Sequence, residues 1–148
     1  MQVIIKSFSE LSNAEIYEIL KLRSEIFVVE QQCIYNDLDD LDQEALHLYC
    51  SENGDIIAYV RLLKPGTRFP VASIGRVLTK MNHRRKGLST LLMQKGIAFL
   101  QNEWSAATIK ISAQKYLRKF YEDLGFKVVS KAYLEDGIPH YEMELGAR

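Results

Sequence analysis

An α/β domain, with helices covering a mixed sheet, is the fold class this sequence predicts, and three observations carry the prediction. The first is size and composition. At 148 residues, 47% hydrophobic and 26% charged, with 8 Gly and 3 Pro, the chain suits a domain with a sizeable buried core, not disorder or low complexity. The second is Asn53-Gly54 between two strand-like runs, a strong short-range hairpin signal. The third lies in the second half, where short apolar runs alternate with helical stripes, as in strand–helix–strand crossovers. Residues 1–148 read as one domain, since no repeat and no Pro/Gly/Ser-rich linker divides them.

Taken in order, residues 2–8 (QVIIKSF) read as an opening strand. Ser12-Asn13-Ala14-Glu15 fits a capping box, in which hydroxyl and carboxylate satisfy free amides at a helix start. Ile16, Ile19, Leu20, Arg23 and Phe27 follow at spacings of three and four, so a helix presents one stripe and runs out near 28–31. A loop then carries five acids in eight positions: Asp37, Asp39, Asp40, Asp42 and Glu44. Residues 46–51 and 56–63 form the two arms of the hairpin, and Pro65-Gly66 ends the second. Residues 71–79 read as a strand and KMNHRRKG as a basic turn. Leu88, Leu91, Leu92, Lys95 and Phe99 then give a helical stripe. Residues 108–112 are a short buried strand, and 116–124 a helix ended by Gly125, which tolerates a left-handed backbone. Residues 126–130 and 140–145 are the last strands. The predicted order is β-α-β-β-β-α-β-α-β-β.

Charge narrows the function classes. Nineteen basic and nineteen acidic residues cancel, which argues against a general nucleic-acid or membrane-surface binder. Cys33 and Cys50 are too few for a disulfide framework and lack metal-ligand spacing. The start, MQVIIKSFSE, has no long apolar run behind a basic region, so neither a signal peptide nor a membrane span is expected, and a cytoplasmic setting is. No metal site is expected. The acidic run misfits a calcium loop, with Leu41 at a ligand position and Asp42 where glycine is needed, and His47-x-x-Cys50 has no second pair.

The segment from Val77 to Ser89 holds the most chemistry. A strand ends, Lys80, His83, Arg84, Arg85 and Lys86 follow within seven positions, and Gly87 opens a helix. Free amides and the dipole at a helix start make an anion site, and glycine lets a phosphate approach the backbone. A solvated basic turn with a glycine cap is the alternative. There is no G-x-G-x-x-G and no P-loop motif.

Arg84-x-x-Gly87-x-Ser89 resembles the Gln/Arg-x-x-Gly-x-Gly/Ala signature of the GNAT N-acetyltransferase superfamily, and Tyr121-Glu-Asp-Leu-Gly125-Phe126 resembles its Tyr-x-x-x-Gly-Phe segment. Residues 27–42, Ala113-Gln114 and 135–144 (EDGIPHYEME) resemble the ElaA branch of that superfamily, in register over nearly the whole chain. One departure is Ser89, where the family carries Gly or Ala. The resemblance implies a GNAT fold, a mixed, mostly antiparallel sheet flanked by helices and splayed between strands 74–79 and 108–112. It also implies acetyl-CoA as cosubstrate and an amine-bearing acceptor. Backbone groups of Val77 and Thr79 would meet the pantetheine arm, and amides of Arg85, Lys86, Gly87, Leu88 and Ser89 the pyrophosphate. Side chains of Arg84 to Lys86 would meet the outer phosphate.

Acyl transfer to an amine needs a base for the ammonium, donors for the carbonyl oxygen and an acid for the departing thiolate. Tyr121 matches the family position of the acid, while its stripe with Leu117 and Leu124 also suits plain core packing. No carboxylate lies within 74–79, where many relatives carry a glutamate. Glu30 and His140 are the candidate bases, with His47 and Glu142 weaker ones and a water chain as substitute. The acidic run either draws a cationic acceptor or is a solvated loop. Cys33 reads as a structural or cleft-wall thiol. Two rivals stay open, a non-catalytic acyl-CoA-binding module and, disfavoured by charge, an RNA-binding domain. Neither the acceptor's identity nor the oligomeric state is readable, and a homodimer is allowed.

Overall fold

The computed structural model describes residues 1–146. Its strands are β1 (Gln2–Ser7), β2 (Leu46–Glu52), β3 (Asp55–Leu63), β4 (Ala72–Thr79), β5 (Thr108–Gln114), β6 (Lys127–Val128), β7 (Tyr133–Glu135) and β8 (Ile138–Gly146), and its helices α1 (Asn13–Arg23), α2 (Leu88–Glu103) and α3 (Arg118–Asp123). The strands make one mixed sheet in the order β1-β2-β3-β4-β5-β8-β6, with β7 also paired to β8. Among the described residues only β4 and β5 run parallel.

Local signals act where expected. Ser12 accepts from the Glu15 amide while Glu15 reaches back to the Ser12 amide, capping α1. Asn53 and Gly54 turn the β2–β3 hairpin with φ of 52° and 84°. Period-two alternation then sorts β3 between two cores. Ala58, Val60 and Leu62 pack with α2 residues Leu92, Met93 and Leu100, while Tyr59 packs with Ile19, Leu22 and Phe27 from the first helix. The stripe of α2 differs from expectation. Lys95 is exposed and Gly96 is buried, its missing side chain letting the helix sit against Leu62, whose Cδ2 would lie 3.1 Å from an added Cβ.

Two irregularities open the sheet. In β4, Arg76 and Val77 together oppose the single residue Val60, since Gly75 pairs with Arg61 and Leu78 with Tyr59. Arg76 takes φ 49° at this bulge, which re-aims the strand. The β4–β5 ladder extends only over Ala72–Ile109 and Ser73–Lys110, after which the strands part. Opposite the gap, the first helix continues over Ser24–Glu30 with widened turns, Gln31 N–H bonding to Ile26 O and Cys33 N–H to Val28 O. Such π turns often accompany functional sites.

The acidic run is neither a solvated loop nor an open lure for a cation. Arg23, fully buried, bonds Asp37 at 2.9 Å and Asp42 at 2.6 Å. Arg61, also buried, bonds Asp39 and Asp42. Arg76 reaches Asp37 and Asp39. Three acids of the loop thus neutralise three arginines that the strands and helix carry inward. Among the described residues, no helix is long and apolar enough to cross a membrane.

Candidate functional site

Where β4 and β5 part, a cleft of two arms lies between the widened end of the first helix and α3. The larger arm, about 430 Å³, runs along Val77 and Thr79 to the basic turn. The smaller, about 100 Å³, lies towards Cys33, Glu135 and His140. Both are walled by Phe27, Gln31, Val77, Gln114, Leu117 and Tyr121, so the two meet at the divergence.

The turn at the end of the larger arm combines one extended and two left-handed residues. Arg84 is extended (φ −71°, ψ 162°), and Arg85 and Gly87 take φ of 65° and 74°. Amides of Arg85 to Thr90 make no hydrogen bond among the described residues, which leaves donors at the positive end of the 16-residue α2. A Cβ added at Gly87 would meet nothing within 4 Å, so the backbone there faces open space. Arg85 and Lys86 are exposed.

Arg84 is docked rather than free. Its Nε donates to Thr79 O at 3.1 Å, and its two Nη groups clamp both oxygens of Glu30 at 2.9 and 2.8 Å. The hydrogen bonds from Arg84 hold the Glu30 carboxyl below its ordinary value, which makes it a partner for the turn and a poor proton acceptor. Ser89 resolves the departure from the family pattern. Its hydroxyl lies 2.7 Å from Thr79 Oγ1, tying the start of α2 to the end of β4.

Tyr121 is 6% exposed, its ring edge-on to Phe120 and Phe126 at 5.0 and 6.1 Å. Its hydroxyl has no hydrogen-bond partner among the described residues, although the residue walls both arms. Desolvation raises its pKa, so the phenol keeps its proton. Packing and an available hydroxyl therefore coexist.

His140 walls the smaller arm, its Nδ1 2.6 Å from Ile138 O. The weaker base candidates lie elsewhere. His47 has both ring nitrogens occupied, by Tyr59 at 2.6 Å and Asp42 O at 2.9 Å, and Glu142 pairs with Lys110. Cys33 is a wall thiol that bonds Asp136 O at 3.2 Å. Sequence reasoning assigned no role to Arg68, Ser112, Tyr133 and Glu135, which form one network beside His140. The family-like stretch 135–144 was the only signal near them. Among the described residues, no group of three metal-binding side chains comes together.

Comparison with known proteins agrees with this geometry. Residues 10–147 match the model of the acetyltransferase (GNAT) domain family. Protein ElaA of Escherichia coli is 37% identical over 137 residues, covering 91% of this chain and 90% of that protein. A UPF0039 protein of Schizosaccharomyces pombe is 38% identical over 147 residues, covering 98% and 97%. Among solved structures, an acyl-CoA N-acyltransferase from Pseudomonas aeruginosa superposes with TM-score 0.92 at 36% identity, covering 98% of this chain and 99% of that one. The structure of Escherichia coli ElaA superposes with TM-score 0.90 at 34% identity, covering 97% and 98%.

Proposed function

Because this chain belongs to the acetyltransferase (GNAT) domain family, on its ElaA-like branch, we propose that it transfers an acetyl group from acetyl-CoA to a primary amine by direct attack on the thioester. The observation that carries this reading is the turn before α2, where free amides converge beside the empty space at Gly87 and open onto the cleft. Bound there, acetyl-CoA supplies an activated acyl group on a thiol that leaves readily.

The amides of Arg85, Lys86, Gly87, Leu88 and Ser89 hold the pyrophosphate, and exposed Arg85 and Lys86 add charge. Glu30 holds Arg84 against Thr79 O and so braces the turn. Ser89, turned to Thr79, leaves the amides clear. Beyond Ser73 the edge of β4 that faces β5 has no strand partner, so backbone groups of Val77 and the amide of Thr79 face the pantetheine arm, the Thr79 carbonyl being taken by Arg84. The acceptor reaches the junction through the smaller arm, where His140 Nε2 takes a proton from the ammonium. A nitrogen–carbon bond then forms as the carbon–sulfur bond breaks, Tyr121 donates its proton to the departing sulfur, and the second proton shed by the acylated nitrogen restores the phenol as the amide forms.

Calorimetry with acetyl-CoA, on the wild type and on Gly87→Val, tests the reading. Micromolar binding, about −8 kcal/mol, that the variant loses while staying folded supports it. No binding by the wild type overturns it.

A further inference from the structure

His140 and Glu135 meet in the wall of the smaller arm, each fixed from behind. His140 Nδ1 lies 2.6 Å from a carbonyl oxygen, that of Ile138, which can only accept. That nitrogen therefore carries a proton, and in the neutral ring Nε2 presents a lone pair. The ring is stacked on Tyr133, with centroids 6.1 Å apart. Glu135 is held through Oε1, which accepts from Arg68 and, at 3.1 Å, from Ser112 Oγ. Its other oxygen, Oε2, stands 3.5 Å from His140 Nε2. The imidazole side chain is only 8% exposed. With the ring neutral, this lone pair and carboxylate oxygen repel unless a donor sits against both, and a cationic donor satisfies both at once.

Resting on the reading above, we propose that this pair seats the acceptor as a slender primary alkylammonium, which makes Glu135 a substrate-binding residue. An ammonium donates one N–H to Nε2 and another to Oε2. Transfer of the first proton to Nε2 leaves the nitrogen lone pair free for attack, and Glu135 then neighbours the imidazolium and balances its charge.

The rest of the arm selects for the same chemistry. Ile74, Ile111 and Ile138 line it with hydrocarbon, and its volume, about 100 Å³ against about 430 Å³ for the larger arm, suits an unbranched chain. Its cations are already taken, Arg76 by Asp37 and Asp39 and Arg68 by Glu135. The Asp136 carboxylate has no cationic partner among the described residues, so a carboxylate on the acceptor would meet like charge.

The test follows the His140 ring resonances of the full chain by NMR as n-butylammonium is added, and in parallel measures acetyl-CoA binding and thiol release. In the wild type these resonances shift and saturate, and tert-butylammonium and 4-aminobutyrate leave them in place. Glu135→Gln weakens n-butylammonium binding about tenfold or more. Glu135→Asp, which keeps the charge, weakens it less and serves if the first variant does not fold. Glu103→Gln, on the exposed face of α2, changes nothing. Equal affinity in Glu135→Gln and wild type, or equal binding of branched and unbranched amines, overturns the proposal. If thiol release still depends on amine in that case, the acetyltransferase reading survives without it. Saturable n-butylammonium binding at His140 in a protein that fails to bind acetyl-CoA overturns the reading and keeps the seat.

Discussion

Replacing Tyr121 with phenylalanine separates the two roles its position allows. The ring is buried and packed edge-on between Phe120 and Phe126, whereas the hydroxyl has no partner among the described residues. Removing an oxygen that makes no hydrogen bond leaves nothing unsatisfied, so unfolding stability should change by no more than about 0.5 kcal/mol. Loss of a general acid costs about 10²-fold in turnover, or ~2.7 kcal/mol of barrier. Tyr121→Ala, by contrast, should cost about 3–5 kcal/mol of stability through the cavity it leaves. The assay pairs urea unfolding with amine-dependent release of free thiol, read over about pH 6 to 9. Desolvation holds the phenol protonated above its ordinary value of ~10, so the deficit of the phenylalanine variant should be constant across that range. Equal turnover of wild type and Tyr121→Phe at every pH refutes the acid role and leaves the residue as core.

Other outcomes follow from the ionic network and the turn. Asp42→Asn strips a shared partner from two buried guanidiniums, Arg23 and Arg61, and should cost about 3–5 kcal/mol in urea unfolding at neutral pH. Acid should weaken the fold only late. Glu15, held to about 2 chiefly by the Ser12 amide, and Asp39, held to about 2 by Arg61 against its own desolvation, both lie below their unfolded values. Their contribution is complete above pH ~5, is lost as pH falls from there towards 2, and should leave melting temperature flat from pH 7 to 5 as far as these groups are concerned. Glu30→Gln removes a bidentate but part-exposed pair and should weaken acetyl-CoA binding by no more than about fivefold in calorimetry.

What the chain declares in advance depends on the range of the interaction. Caps and turns are decided within four residues, so Ser12, Asn53-Gly54 and Gly125 were legible, and all three stand at the predicted ends. Tyr133–Glu135 was missed because a three-residue strand has too little periodicity to read, and it exists only by pairing to β8. Lys95 and Gly96 exchanged places because a strict three-and-four spacing cannot register that a helix packs close to a sheet through its glycine. The acidic loop misled for a related reason. Charge runs are mostly solvated, and only Arg23 in an apolar stripe and Arg61 in an apolar strand hinted that counter-charges would be wanted inside. The glycine turn that opens α2 was legible, and Gly87 caps that helix in the left-handed region. The docking of Arg84 on Glu30, 54 residues away in sequence, was not.

The short parallel contact between β4 and β5 has a mechanical consequence. Strands β1 to β4 form one antiparallel plate and β5 to β8 another, and within the sheet only Ala72–Ile109 and Ser73–Lys110 join them. Each plate carries its own stiffener, α2 on β2, β3 and β4, and α3 on β5 and β6. Behind this short ladder one apolar core continues from Leu62 and Ile74 to Ile109, Ile111 and Met143, so the sheet is a wedge with a closed back, and any ligand laid between the parted strands acts as a tie rod across the open end. At a hundredfold excess over its dissociation constant such a tie adds about 2.7 kcal/mol to the folded state, and here that energy is applied at the open end, where β4 and β5 make no ladder bonds to each other.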